Sequence, residues 1–285
     1  MHLDLAGNRP LHEPDLPIRD RADSGRGLVI DASRLEFASP LDLAATAALA
    51  HVHAAAGEPA DLVLPKDPNI ASYLRRMDLL DHVPPGTRVL GPLAPEERMD
   101  RTAKLLEVTL LTPGNAGEIS ERIGRLATGN LGPPFGRRTF KAVGELIDNA
   151  TTHGQGSPGA YICAQAYTGQ TTAHPGLQVA VCDTGMGVLA HLSGNPRHAA
   201  LAEDIHALQC AVKPGVTGTT DERGNGLPDL LAASSPVGDT RLLLRSGDGL
   251  LTVQHGPVAS STVGAVSGAA RVKGTWAWLD MRFPL

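Results

Sequence analysis

Glu145 and Asn149 stand four positions apart in the stretch Lys141-Ala-Val-Gly-Glu-Leu-Ile-Asp-Asn-Ala150-Thr-Thr-His153-Gly154. Val143, Leu146, Ile147 and Ala150 recur at three- and four-residue spacing, which predicts an amphipathic helix. Gly154 stands where a left-handed cap would end it. On that helix Glu145 and Asn149 share one face, one turn apart. A carboxylate beside a neutral amide oxygen suits a hard cation such as Mg²⁺, which takes oxygen ligands and leaves much of its charge balance to phosphates. The alternative is an ordinary surface helix whose polar face meets solvent.

Three later segments bear on that choice. Leu177 to Cys182 is an apolar run of strand length that feeds Asp183-Thr-Gly185-Met-Gly187. An acidic residue at a strand end can accept from an exocyclic amine, and glycines beside it let backbone approach a flat ring. Gly224-Asn-Gly226-Leu227 then offers a glycine-rich turn opening a helix, whose free N–H groups suit phosphates. Gly274-Thr275 opens an alternating tail, Trp276-Ala-Trp278-Leu-Asp280-Met-Arg282.

The order Glu-x-x-x-Asn-Ala, Asp-x-Gly-x-Gly, Gly-x-Gly-Leu, Gly-Thr resembles the Bergerat-fold ATP-binding family, which includes DNA gyrase, histidine kinases and the anti-sigma-factor serine kinases. The resemblance covers Glu118 to Pro284, and four motifs in order are far more specific than any one. It implies ATP and Mg²⁺ as cofactors. Asn149 would hold the Mg²⁺, and Asp183 would accept from the adenine amino group. Gly185 and Gly187 would let backbone pass the base. Gly224, Gly226 and Leu227 would set the phosphate-facing end of a lid helix, and Thr275 would back the adenine through a water. Glu145 would act as general base on a water or a substrate hydroxyl, a role that typically contributes ~10²–10⁴-fold; positioning and charge neutralisation supply most of phosphoryl transfer. Asn-Ala-x-x-His153-Gly154 resembles the anti-sigma-factor kinase branch, whereas Asp148 beside Asn149 resembles gyrase. No helix carries an acceptor His in a phosphotransfer setting. Asp183-Thr-Gly185 also spells an aspartic-protease triplet, but that chemistry needs two such Asp sharing a proton, and the other motifs would go unexplained.

Composition bounds the classes. The chain has 285 residues, 42% of them hydrophobic and 19% charged, enough for a sizeable core. Aromatics make up only 3%, so Leu, Val, Ile and Ala must build that core. A net charge of −5 without a basic run argues against nucleic acid or an anionic membrane as partner. Cys163, Cys182 and Cys210 form no C-x-x-C pair and read as reduced thiols of a cytoplasmic protein. No apolar span is long enough for a membrane helix, and no secretory signal opens the chain. His51 and His53 diverge on a helix, so zinc is not expected.

The positioning elements follow an α/β pattern. Residues 1–26, with Pro10, Pro14 and Pro17, read as an irregular leader or a loose edge hairpin. Strands are expected at Gly27 to Asp31 and Ala60 to Leu64, alternating with helices from Pro40 to about Ala56 and from Pro68 to Met77. Ser39 is a good N-cap and Pro40 suits the first turn. The segment Asp31-Ala-Ser-Arg-Leu-Glu-Phe-Ala-Ser-Pro-Leu-Asp-Leu43 resembles the STAS fold of anti-sigma-factor antagonists. Where phosphorylatable members carry acceptor serines this chain has Pro40 and Leu41, so the module is expected to be a fixed partner or dimer surface. The domains are thus expected as leader 1–26, STAS-like module 27–92, linker 93–104 and ATP-binding domain 105–285. The ATP-binding domain is expected to be a two-layer α/β sandwich with a mixed sheet. Its elements are a strand at Leu105 to Leu111, a helix at Glu118 to Ala127, a loop from Gly129 to Gly136 and the organising helix. Ala160 to Tyr167 should pair with Leu177 to Cys182, and a hairpin should join Arg241–Arg245 to Leu250–Gln254. Pro257 to Ala270 has little to pack, and Trp276 to Phe283 should close the sheet.

The function expected from these features is Mg-ATP binding with hydrolysis, or transfer of the γ-phosphate to a protein Ser or Thr. The partner would be a sigma-factor or antagonist-like regulator, and a homodimer is left open. The alternatives are an ATP-gated switch with little or no catalysis and a pure interaction module without nucleotide affinity.

Overall fold

Helix α1 (Pro40–Ala55) runs between two β-sheets, and every residue from Pro40 to Ala50 is buried. A helix apolar on all sides must be covered on all sides. Its alanines let the two sheets approach without overpacking. Ser39 caps it: the Ser39 Oγ accepts from the Asp42 N–H, and the Asp42 carboxylate accepts from the Ser39 N–H at 2.9 Å. The computed structural model describes residues 1–5, 18–19, 27–58, 60–93, 102–152, 159–169, 174–218, 239–255 and 262–282.

The smaller sheet has five strands, β1 (His2–Asp4), β2 (Ile18–Arg19), β3 (Leu28–Asp31), β4 (Ala60–Val63) and β5 (Arg88–Leu90), in the order β2-β1-β3-β4-β5. It is parallel except for the edge pair of β1 and β2, so the leader supplies an edge hairpin. Helix α2 (Pro68–Arg76) follows β4, with Asp67 capping it by accepting from the Asn69 N–H.

The larger sheet is built from β6 (Leu105–Leu111), β7 (Ala160–Tyr167), β8 (Gly176–Asp183), β9 (Asp239–Gly247), β10 (Gly249–His255), β11 (Thr262–Val266) and β12 (Val272–Arg282). Its order is β11-β10-β9-β12-β8-β7-β6. The sheet was expected to be mixed, but all six of its pairings are antiparallel. Two features cause this. Two antiparallel helices, α3 (Ala116–Leu131) and α4 (Pro133–Thr152), join β6 to β7, so β7 returns in the opposite sense. β12 then inserts between β8 and β9 and keeps those two like-directed strands apart. The last strand, expected to close the sheet, therefore sits at its middle. The hairpin of β9 and β10 and the pairing of β7 with β8 are as expected.

One further expectation is corrected. The loop from Gly129 to Gly136 does not exist; α3 and α4 are separated by Gly132 alone, at a φ of +92°. The helices pack tightly there, because a Cβ on Gly136 would lie 1.8 Å from the Thr128 Oγ1. Within Pro257 to Ala270, Thr262–Val266 forms strand β11, exposed at every residue.

The sandwich was expected to have two layers, yet the larger sheet is covered on both faces. One face carries Ile162, Val179, Val181 and Leu279 against Val143, Leu146 and Ile147 of α4. Alternate residues on the other face, Cys163, Ala180, Cys182, Trp276 and Trp278, join the cluster that contains α1 and the smaller sheet. Polar ties reinforce this junction. Glu107 on β6 accepts from Arg76 of α2 at 2.6 Å and from Arg122 of α3 at 2.7 Å. The Val108 N–H donates to the Met77 carbonyl at 2.9 Å, and the Cys163 thiol to the Pro40 carbonyl at 3.0 Å. The three cysteines are unbridged, and no described helix is long and apolar enough to cross a membrane.

Candidate functional site

Asp183 ends β8, the strand buried at every residue. By the alternation of the strand it faces the same side as Val179 and Val181, the side covered by α4. It is 6% exposed. Its Oδ1 accepts from the Gly185 N–H at 2.8 Å and from the Thr275 N–H at 3.1 Å. Burial pushes the carboxyl up to about 6, and the two backbone donors only partly offset that. Both of those bonds end on Oδ1.

The glycines beside Asp183 are required by contact. Gly274 has a φ of +80°, and a Cβ there would stand 2.1 Å from the Asp183 carbonyl oxygen. Gly187 has a φ of +81°, and its Cβ would stand 2.7 Å from the Ser246 Oγ. Ser246 is buried on β9; its hydroxyl donates to the Gly274 carbonyl at 3.0 Å and accepts from the Val188 N–H at 2.9 Å. One hydroxyl thus ties the loop after β8 to the start of β12. Thr184 anchors the loop from the other side, exchanging hydrogen bonds with the backbone of Gly159 at 3.0 and 3.1 Å.

Asp183, Gly185, Gly187 and Thr275 are therefore brought together, from segments far apart in sequence. The contribution of Thr275 in this structure is its backbone N–H, with its side chain half-buried on the same sheet face. Glu145 and Asn149 lie on α4, whose buried residues Leu146, Ile147 and Ala150 bracket them. Asn149 is exposed and Glu145 is half-buried. Met186, at the tip of the loop, is 63% exposed. Gly224, Gly226, Leu227, His153 and Gly154 lie outside the described residues.

Ser246 is the site residue that sequence reasoning missed. The expected hairpin places it in the turn between Arg245 and Leu250, whereas β9 runs on through Gly247. No local pattern separates a buried strand serine from a turn serine. The link depends on the pairing of Ser246 with Thr275 across a bulge in β12.

Among the described residues no group of three or more His, Cys, Asp or Glu could hold a metal ion. Asn149 and Glu145 could give Mg²⁺ only part of its shell, leaving phosphate and water for the rest. In comparison with known proteins, no family model and no curated relative matches this chain.

Proposed function

We propose that this protein binds Mg-ATP and hydrolyses it or transfers its γ-phosphate to a protein Ser or Thr, in the manner of anti-sigma-factor kinases. One observation carries the reading. A carboxylate at the end of a fully buried central strand is fixed through one oxygen by two backbone donors, and glycines held by steric contact surround it. That arrangement suits recognition of a flat base bearing an exocyclic amine, with Asp183 as acceptor and Gly185 and Gly187 admitting the ring edge.

Asn149 and Glu145 are the residues of α4 that would face the phosphates. Bound there, Mg²⁺ would neutralise charge on the triphosphate oxygens. Asn149 would orient the ion through its side-chain oxygen. Glu145 would take the proton from the attacking hydroxyl or water at its carboxylate. Gly224, Gly226 and Leu227 complete the proposed phosphate contacts.

Calorimetric titration of Mg-ATP into the wild-type protein and into Asp183→Ala and Asn149→Ala tests the reading. Saturable binding lost in both variants supports it, and a folded wild-type protein that takes up no heat overturns it. The fate of a labelled γ-phosphate, on protein or in solution, then separates kinase from ATPase.

A second reading, an ATP-gated switch with little catalysis, draws on the strand alternation. Asp183 and Thr275 face the site, while their neighbours Cys182 and Trp276 pack into the cluster that contains α1. A ligand that moves these strand ends acts directly on the N-terminal sheet. Under this reading Glu145→Ala keeps the nucleotide response of the protein intact.

A further inference from the structure

The edge strand of a sheet presents unpaired N–H and C=O groups, and proteins blunt such edges with short strands, charge, irregular pairing or a covering segment. Among the described strands, three of the four edges are blunted in these ways. β2 is two residues long, and β5 is three residues long and carries the charged Arg88. β6 pairs with β7 across an irregularity between Leu106 and Thr109. Its Val108 N–H is taken by the Met77 carbonyl at 2.9 Å, and its Leu105 carbonyl accepts from Arg122 at 3.3 Å.

The fourth edge, β11, carries none of these devices. It follows β10 in unbroken register, from Thr262 opposite Gln254 to Val266 opposite Leu250, and all five of its residues are exposed. No charged residue occurs from Gly256 to Ala270, and no proline from Val258 to Ala270. Its side chains continue the core outward. Val263 lies opposite Val253 and Ala265 opposite Leu251, and opposite residues of a ladder share one face. Leu251 and Val253 belong to the core cluster that contains Leu146 and Ile147 of α4. The same apolar row then ends at Val263, which is 57% exposed.

We propose that β11 pairs with β11 of a second copy of this chain, antiparallel about a two-fold axis at Gly264, so that the two larger sheets become one continuous sheet. In that register Val263 meets Ala265 of the second copy, and Thr262 meets its Val266. The row from Leu251 and Val253 through Ala265 and Val263 then runs on into the identical row of the other copy. A second copy is the occupant that this edge fits. The strand has no charge to select a basic or acidic segment, whereas its own copy is equally uncharged, equally long and apolar at the positions that meet. Two-fold pairing uses the same strand on both sides and so closes on itself. With β6 covered at the opposite edge, assembly stops at two. Five residues span only about 17 Å, and a contact of that length stays below the roughly 1,000 Å² of a permanent interface. The dimer is therefore reversible. The pairing is independent of the nucleotide reading.

Sedimentation of the full chain from about 1 to about 200 μM, the range in which so small an interface associates, tests the proposal. The mass should rise with concentration from 29.7 kDa toward that of a dimer. Val263→Lys, which adds the charge that edge strands ordinarily carry, should weaken dimerisation about tenfold or more. Val263→Thr keeps a β-branched side chain and should stay within about threefold of wild type. Unchanged melting verifies the fold of both variants. Hydrogen exchange locates the contact: amides of Thr262–Val266 should slow as the wild-type concentration rises, and should not do so in Val263→Lys. A chain that remains monomeric throughout the range overturns the proposal. So does a dimer that Val263→Lys leaves intact, or one that forms without slowing exchange in β11. Growth beyond two copies overturns the closed two-fold arrangement.

Discussion

Thr275 donates its backbone N–H to the Oδ1 of Asp183 at 3.1 Å, although 92 positions separate the two residues. The bond forms because β12 enters the sheet beside β8, with Trp276 opposite Cys182. It fixes the Asp183 carboxylate to a strand end that no local turn could supply. Gly274 makes the approach possible, and Gly274→Ala should be severe. A Cβ 2.1 Å from the Asp183 carbonyl oxygen forces the strands apart, on a backbone that already disfavours a side chain. Loss of about 2–4 kcal/mol of stability is expected, with loss of Mg-ATP binding. Denaturant unfolding and calorimetry on the same preparation check both effects.

Ser246→Ala tests the buried hydroxyl that holds the loop to β12. The change orphans the Val188 N–H and the Gly274 carbonyl, at a cost of about 1–3 kcal/mol. Nucleotide affinity should fall with the loop loosened, while the wild-type fold survives. A thermal melt and a binding isotherm read the two consequences separately.

The acidity of Asp183 predicts a pH profile for binding. The carboxyl is raised to about 6, so it becomes protonated in the folded protein as pH falls through that value. A neutral acid is a poorer acceptor for an exocyclic amine. Mg-ATP affinity should therefore weaken below about pH 6, beyond the change due to the phosphates themselves. In Asp183→Asn the phosphate contribution remains and this added slope vanishes. Parallel titrations of wild type and variant at a series of pH values measure the difference.

Stability should follow pH with two opposed arms. Asp183 and Asp280 are buried and raised to about 6 from an ordinary value of 3.8. Between those values the folded state binds more protons than the unfolded one, so both groups add stability as pH falls from 7 toward 5. Glu107 acts the other way. Its burial would raise the carboxyl, but the Arg76 and Arg122 bonds prevail and hold it below its ordinary 4.5. Its contribution is present above that value and is lost as pH falls through the lowered one. Melting temperature should thus rise on mild acidification and drop in strong acid. Glu107→Gln should flatten the strongly acidic arm and cost about 2–4 kcal/mol at neutral pH; the partial exposure of Arg122 keeps the loss below that of a fully buried triad.

Glu145→Gln should leave the Mg-ATP dissociation constant within about twofold while lowering turnover by ~10²–10⁴-fold, because a general base acts in the chemical step. Asn149→Ala should weaken binding itself and make it insensitive to Mg²⁺. Single-turnover phosphate release alongside calorimetry distinguishes these two roles.

Much of the scaffold is legible in the sequence. Ser39 marks the start of α1, the run Leu105 to Leu111 coincides with β6, and Gly185 and Gly187 stand out beside Asp183. These features depend on neighbours in sequence, through caps, apolar runs and turns. The sheet around them was harder to read. Trp276 to Phe283 reads as a strand that closes the sheet, but nothing in the sequence puts β12 between β8 and β9, because strand order is set by which long-range pairings bury most surface and not by order along the chain. Ser246 was hidden for the same reason.

The sequence by itself determined the elements and the residues with chemistry to offer: the apolar stripe of α4, Glu145 and Asn149 on one face, and Asp183 at a strand end. Local periodicity and capping are short-range, and one stretch of chain contains all that they require. Only the tertiary structure decided that the large sheet is wholly antiparallel, that α1 seals its second face, and that Thr275 and Ser246 converge on Asp183. Those outcomes depend on non-local burial between segments tens of residues apart, which no window of the chain contains.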